Sequence, residues 1–325
     1  MTQPSNSLSL VADVGGTNTR VALADGPRLL TATVEKVPNR NAESLAALLD
    51  AYVRAKGVDC VAAAVAIAGP VHNGRDTLTN LDWSMDCDTL AVITKAETVA
   101  VLNDLQAQAH ALGCIAQGNL RAILPGQISE PGAVRLVIGI GTGFNAALAL
   151  KLGQSRVVPP SECGHVTMPV QNEADLRLVQ FVGKSRGFTS VEDVQSGRGI
   201  ENIDAWHADE AGKATDRTAA EIMTAAKEGE ARALKTVETF VQIMGRVAGD
   251  LALVHLPFGG IYYIGGVARA MTPYLERFNF SQHFHNKGRF ADFMARFPVN
   301  LVEDDFAALA GLSAHLDDLR KNQNS

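Results

Sequence analysis

The sequence predicts an α/β protein of two domains. Three observations carry that expectation. The chain has 325 residues, long for a single core. A strand, glycine turn, strand unit occurs at residues 8–24 and again at 134–150. With Leu10 set against Leu136 the two copies run in register, Gly15-Gly16-Thr17 falling on Gly141-Thr142-Gly143, as two similar halves would. From Leu8 up to the second copy, apolar runs and helical periodicities follow in the order βββ, α, β, α, β, α. Three meandering strands ahead of the alternation separate this from a plain doubly wound sheet.

The apolar run from Leu8 to Val14 reads as a strand, Gly15-Gly16-Thr17-Asn18 as its turn, and residues 19–24 as a second strand. Adjacent glycines permit φ > 0 and let a ligand approach the amides closely, and Thr17 adds a hydroxyl. Such a turn suits phosphate oxygens, and it equally suits an ordinary hairpin with a polar tip. It is not a Walker A loop, because no Gly-Lys-Ser/Thr ends it, nor a dinucleotide fingerprint, because a strand and not a helix follows. Asp13 puts a carboxylate where anions would dock, which makes sense with Mg²⁺ standing between them.

Residues 29–34 read as a third strand. Asn41 is positioned to cap a helix with Leu45, Leu48, Leu49, Tyr52 and Val53 on one face and Gly57 as its stop. The near-continuous apolar run 61–68 predicts a strand buried on both faces. Residues 86–94 read as a short helix, and 98–102 as a strand that delivers Asn103 and Asp104 at its carboxyl end, ahead of a helix over 105–112. On the residues alone, Asp104 serves equally well as a catalytic carboxylate or as the N-cap of that helix. Beyond the second glycine unit, Ser190 to Asp193 and Thr218 to Glu221 have the form of capping boxes. A long helix over 231–256 ends at Pro257, with Gly245 and Gly249 one turn apart to permit close packing. A strand over 259–266 ends in Gly265-Gly266, 299–302 is a late strand, and 306–319 a closing amphipathic helix.

Acidic residues outnumber basic ones, 35 to 29, and no Lys/Arg run occurs, which argues against nucleic acid as a partner. Phosphate binding would then rest on backbone amides and metal. The first ten residues have no basic region followed by an apolar core, and the longest apolar stretches, 60–71 and 251–268, are too short or interrupted to span a membrane. The four cysteines are widely spaced, with no Cys-x-x-Cys, so neither a zinc site nor a disulfide framework is expected. A cytoplasmic location fits these features.

Three glycine turns at the ends of apolar strands follow the order of the two phosphate segments and the adenosine segment of the sugar kinase, Hsp70 and actin superfamily. Within it the chain resembles the bacterial ATP-dependent glucokinases of the non-zinc type over nearly its whole length. The resemblance is carried by Asp13-Val-Gly-Gly-Thr-Asn18, Thr79-Asn-Leu-Asp-Trp83, Asn103-Asp104, Gly139-Ile-Gly-Thr-Gly143, Glu162-Cys-Gly-His165, Glu192 with Ser196-Gly197, Gly245-Arg246, Gly265-Gly266 and Lys287-Gly-Arg-Phe290. Cys163 stands where that family usually has glycine. The absence of any Cys-x-Cys pair excludes the related sugar kinases that carry a cysteine-rich zinc motif.

The resemblance implies an RNase H-like (actin/hexokinase) fold, with mixed sheets flanked by helices and a cleft between domains. It implies a small α/β domain of residues 1–114 with 304–325 and a large one of 115–303. It implies transfer of the γ-phosphoryl of ATP to the 6-hydroxyl of glucose, with Asp104 as general base. Asn80, Asn103, Asp104, Glu162, His165 and Glu192 would bind the sugar, since carboxylates and amides suit paired hydroxyls. Ala12, Asp13, Val14, Gly15, Gly16, Thr17, Asn18, Gly141, Thr142, Gly143, Gly265 and Gly266 would bind ATP, and Asp13 would hold Mg²⁺. Taken on its residues, Glu192 is also a first-turn acid favoured by a helix dipole. By the same resemblance the protein would be a homodimer. Two rival readings use the same fold: a non-catalytic sugar-sensing regulator, against which stand the nine residues before Leu10 and the retention of Asp13 and Asp104, and a sugar-independent ATPase or phosphatase, which would leave the sugar-side set without a purpose.

Overall fold

The computed structural model describes residues 8–67, 69, 75–77, 83–127, 129, 130, 132–153, 155–184 and 187–323. In chain order the elements are β1 (Leu8–Val14), β2 (Asn18–Asp25), β3 (Arg28–Leu29), β4 (Glu35–Pro38), α1 (Leu45–Lys56), β5 (Ala62–Ile67), β6 (Arg75–Thr77), β7 (Ser84–Asp86), α2 (Cys87–Thr94), β8 (Thr98–Asn103) and α3 (Asp104–Ala111). There follow β9 (Leu120–Leu124), β10 (Arg135–Ile140), β11 (Phe144–Leu152), β12 (Ser155–Val157), α4 (Glu173–Gly183), α5 (Gly197–Glu210), α6 (Ala219–Lys227) and α7 (Ala231–His255). The chain closes with β13 (Ile261–Ile264), α8 (Gly266–Met271), α9 (Phe280–His285), α10 (Ala291–Met294), β14 (Val299–Val302) and α11 (Ala307–Gln323). The repeat seen in the sequence holds in space: β1 and β10 end at the matched positions Val14 and Ile140, and β2 and β11 begin at the matched positions Asn18 and Phe144.

Contacts divide the chain into two compact units, Met1–Asn119 with Ala149–Pro160 and Asp304–Ser325, and Leu120–Leu148 with Ser161–Glu303. The segment Ala149–Pro160 falls inside the range expected for the large domain but groups with the first unit. Its Arg156 accounts for this: the guanidinium donates to His110 O, and the backbone N donates to Asp318 Oδ2 at 3.3 Å.

The first unit is built on a sheet of order β3-β2-β1-β5-β8, with β4 also pairing β2. β5 is buried along its whole length, as its apolar run requires. Its odd positions, Ala63, Val65 and Ile67, share a core with Leu45, Leu48 and Leu49 of α1 and Leu90 of α2. Its even positions, Ala62, Ala64 and Ala66, face Leu309, Leu312 and Leu316 of α11 and Ala107 of α3. Small side chains let those helices lie close. Gly311 of α11 is the tightest point, since a Cβ there would fall 1.7 Å from Ala107 O.

Two local expectations are corrected here. Residues 29–34 do not form one strand: β3 stops at Leu29 and a 3-10 turn covers Thr31–Thr33. The Thr33 hydroxyl accepts from Leu23 N at 2.9 Å and donates to Leu30 O at 2.6 Å, taking ladder positions that backbone would otherwise fill. The cap of α1 is Ser44, not Asn41, which sits in the 3-10 turn Asn39–Asn41. Gly57 ends α1 in the left-handed region, as expected.

In the second unit β11, β10, β13, β14 and β9 are neighbours in that order. α7 packs on α9 through its two glycines: a Cβ on Gly245 would lie 2.8 Å from Phe280 O, and one on Gly249 2.6 Å from Phe284 O. Two buried charges are paired, Asp175 with Arg246 across α4 and α7, and Asp204 with Arg217 and Arg232. The Thr218 box opens α6 as its sequence predicts. The Ser190 box also forms, Ser190 N donating to Asp193 Oδ2 at 2.9 Å and Asp193 N to Ser190 Oγ at 3.3 Å, but it closes a turn; α5 begins later, capped by Ser196.

His110 of α3 and His315 of α11 stack with ring centroids 4.3 Å apart. Burial pushes the first down to about 3, helped by the neighbouring ring and Arg156, and the second down to about 4. Both rings are neutral in the fold and titrate near 6.5 when released. Because the folded values are depressed, the stability this gives is complete above pH 6.5 and lost as pH falls towards 4. The unfolding free energy from urea titrations is expected to drop across that window by up to about 1.4 kcal/mol per pH unit for each proton. His315→Gln should flatten the slope, and an unchanged slope would contradict the assignment.

Candidate active site

In the first unit β1, β5 and β8 are parallel neighbours whose last residues are paired, Val14 with Ile67 and Ile67 with Asn103. Gly15 and Asp104 are the next residues on the two outer strands. The glycine turn and the carboxylate therefore leave one carboxyl edge two strand spacings apart, ~10 Å. That edge is where open α/β sheets bind ligands. Gly16 and Thr17 are exposed at the tip of the turn, and a cavity of about 560 Å³ opens there, lined also by Asn18, Arg40 and Trp83.

Asn103, not Asp104, caps α3. Its Oδ1 accepts from Leu105 N at 2.9 Å, Gln106 closes the box by accepting from Asn103 N at 3.1 Å, and its Nδ2 donates to Gly69 O at 2.7 Å. The structural alternative for Asp104 is thus filled by its neighbour. Asp104 is the first residue of the helix, half-buried, with Oδ1 accepting from Leu105 N at 2.8 Å.

Asp13 lies opposite Arg20 across the β1–β2 ladder and pairs with it at 3.3 Å. Burial raises its pKa, against the lowering effect of Arg20. A carboxylate so placed is relieved by a further cation. Ala12 and Val14 are completely buried inside the sheet, directly behind the turn. Asn80 lies outside the described residues.

The second unit repeats the arrangement. Gly139 of β10 is paired with Ile264 of β13, so the turn of Gly141, Thr142 and Gly143 and the pair Gly265-Gly266 leave adjacent parallel strands on one edge, ~5 Å apart. Gly265 has φ 99°, and a Cβ there would fall 2.3 Å from Ile140 O. Only glycine suits that position.

Glu192 is not in a helical first turn. Its Oε2 accepts from Phe144 N at 2.9 Å, directly after the 141–143 turn, and its backbone N donates to Gly164 O at 2.8 Å. Gly164 is buried against the same strand, and a Cβ there would meet Phe144 O at 2.0 Å. The 3-10 turn Cys163–His165 is thereby fixed, with Glu162 and His165 exposed on either side. The second glycine turn, Glu162, His165 and Glu192 are thus brought together around one glycine. Cys163 fits without disturbance: its Sγ approaches Asn145 Oδ1 at 3.5 Å and it packs on the core.

Sequence reasoning missed Asn39, which reaches the first glycine turn from the end of β4. Nothing local marks it, because 24 residues separate it from Gly15.

The family model described as Glucokinase matches residues 10–319. The chain belongs to the glucokinase family. It is 33% identical to the glucokinase of Caulobacter sp. (strain K31) over 313 residues, 94% of each chain. Among solved structures it is similar to the glucokinase of an Antarctic psychrotroph, with TM-score 0.86, 31% identity and coverage of 98% of this chain and 99% of that one. It shares its fold with the glucokinase of Balamuthia mandrillaris, solved in complex with glucose, at TM-score 0.79 and 21% identity, covering 97% of this chain and 94% of that one. Its activity is that of an ATP-dependent hexose kinase, the phosphorylation of glucose to glucose 6-phosphate, and the regulator and ATPase readings are not favoured. The two mixed sheets flanked by helices are the actin-like fold of glucokinases.

In this glucokinase Gly164→Ala is expected to cost about 1–3 kcal/mol by overpacking against Phe144 O. The urea midpoint should fall at unchanged slope, and a parental midpoint would refute the tight contact.

Proposed function

We propose that Asp104 is the general base of the kinase reaction. The supporting observation is the paired ending of β1, β5 and β8, which sets Asp104 and the first glycine turn ~10 Å apart on one edge. That span accommodates a chain of contacts from base to hydroxyl, from hydroxyl oxygen to phosphorus, and from phosphoryl oxygen to a turn amide, each ~3 Å. Asp104 accepts the proton of the glucose 6-hydroxyl as its oxygen bonds to the γ-phosphorus. The bond from that phosphorus to the bridging oxygen breaks, and ADP leaves with the electron pair.

Glucose hydroxyls are bound by Asn103, Asp104, Glu162, His165 and Glu192, with Asn80 in the same role. Among the described residues only Oε2 of Glu192 is in a hydrogen bond, which leaves Oε1 for the sugar. Asn103 keeps one amide hydrogen beyond its bond to Gly69 O. The turns of Gly15, Gly16, Thr17 and Asn18 and of Gly141, Thr142 and Gly143 hold phosphates on backbone N–H groups, and Gly265-Gly266 lies against adenosine. Asp13 fits Mg²⁺. Among the described residues no group of three or more His, Cys, Asp or Glu is arranged to hold a metal ion by itself, but Mg²⁺ commonly takes one or two carboxylates and keeps water and phosphate for the rest. When bound, Mg²⁺ neutralises charge on the phosphate oxygens.

No helix among the described residues is long and apolar enough to cross a membrane, which supports a cytoplasmic location. The acidic surplus supports small-molecule partners over nucleic acid. We assign a homodimer on family resemblance.

ADP release measured with and without glucose tests the whole reading: release should depend on glucose, and glucose-independent release would replace it with an ATPase. Asp104→Ala should lower kcat by roughly 10²–10⁴, with glucose binding weakened far less. Turnover at the parental rate would remove the assignment. Asp13→Asn should raise the Mg²⁺ concentration needed for half-maximal rate, and an unaltered requirement would exclude Asp13 as the metal's anchor.

A further inference from the structure

We infer that Asn39 is a positioning residue for ATP, acting through the first glycine turn. The inference rests on the reading of that turn as a phosphate cradle. A cradle of backbone amides works only if its N–H groups face the anion and its carbonyl oxygens face elsewhere, since an inward carbonyl would repel phosphate. A two-glycine turn does not fix this by itself, because glycine backbone rotates freely. Something else must hold the peptide planes.

Asn39 does so from the far end of β4. Its Nδ2 donates to Gly15 O at 2.7 Å and its backbone N donates to Thr17 O at 2.9 Å. In a planar trans peptide the C=O and the following N–H point in opposite directions. Turning Gly15 O towards Asn39 therefore aims Gly16 N–H away from it. Among the described residues, that N–H has no internal hydrogen bond. A third carbonyl of the turn, Asn18 O, accepts from Gly15 N at 3.0 Å.

The orientation of the Asn39 amide is itself determined. Thr19 Oγ donates to Asn39 Oδ1 at 2.9 Å, which reserves the oxygen for Thr19 and leaves the nitrogen for Gly15. Both side chains are buried, Asn39 at 4% exposure and Thr19 at 0%. A buried amide with its two ends assigned is rigid, so the turn inherits one orientation. β4 supplies the reach, because Asn18 is paired with Pro38 and Asn39 is the next residue.

The test compares Asn39→Ala, Thr19→Val and Thr19→Ser with the parent in steady-state assays at varied ATP and varied glucose. The backbone bond from Asn39 N to Thr17 O survives in every variant, so the comparison isolates the side chain. Asn39→Ala should raise KM for ATP about tenfold, the size of one lost hydrogen bond in an anion site, with KM for glucose within about twofold. Thr19→Val keeps the shape but frees the Asn39 amide, and should raise KM for ATP in the same direction; Thr19→Ser, which retains the hydroxyl, should restore the parental value. If Asn39→Ala does not fold, the two Thr19 variants decide the matter. An unchanged KM for ATP, or equal rises for ATP and glucose, overturns the inference. A parent enzyme that does not phosphorylate glucose with ATP overturns the underlying reading instead.

Discussion

The hydrogen-bonded register of three parallel strands is the constraint from which the first half of the site follows. Because Val14, Ile67 and Asn103 end level, a glycine turn and a carboxylate far apart in the chain share one sheet edge. The register is itself protected by packing. β5 is alanine on the face towards α3 and α11, so the helices lie close, and Gly311 removes the last Cβ that would push α11 off. α3 begins at Asp104, so its close seating is what holds that carboxylate at the strand end. A larger residue at Ala64 or Gly311 would act on chemistry it never touches.

The second unit reaches a similar end by a different route. There the adjacent strands β10 and β13 are each followed directly by glycine, and the side chains expected to meet a sugar are gathered by a backbone crossing at Gly164. Glu192 has two tasks at once. One oxygen accepts from Phe144 N at 2.9 Å, which ties the end of the glycine turn, and the other is the one we propose for the sugar. Glycine at 143 and 164 makes room for this, since a Cβ at either would meet Glu192 or the strand.

The first unit carries its local departures from good solvation and packing at the carboxyl end of β1. Asp13 is a carboxylate whose burial disfavours its charge, only partly offset by Arg20. Exposed Gly16 and Thr17 make an N–H surface at the expense of ordinary turn packing. Elsewhere the polar groups are well served: Asp204 and Asp175 are buried with arginine partners, and helix starts are capped by Ser44, Asp86, Asn103, Asn172, Ser196 and Thr218.

The sequence by itself determined whatever is written in neighbouring residues: the buried strand β5 from its apolar run, the stop at Gly57, the cap and box of α6, the close helix crossing at Gly245 and Gly249, and the repeat that matches β1 to β10. It also carried the ordered motifs from which the kinase family could be read. Only the tertiary structure decided that Glu192 ties to Phe144, that 149–160 packs with the first unit, and that Asn39 bonds to the first glycine turn. The physical reason is the same in each case. These outcomes depend on hydrogen bonds between segments far apart in the chain, and such bonds leave no periodicity, cap or spacing in the residues on either side of them.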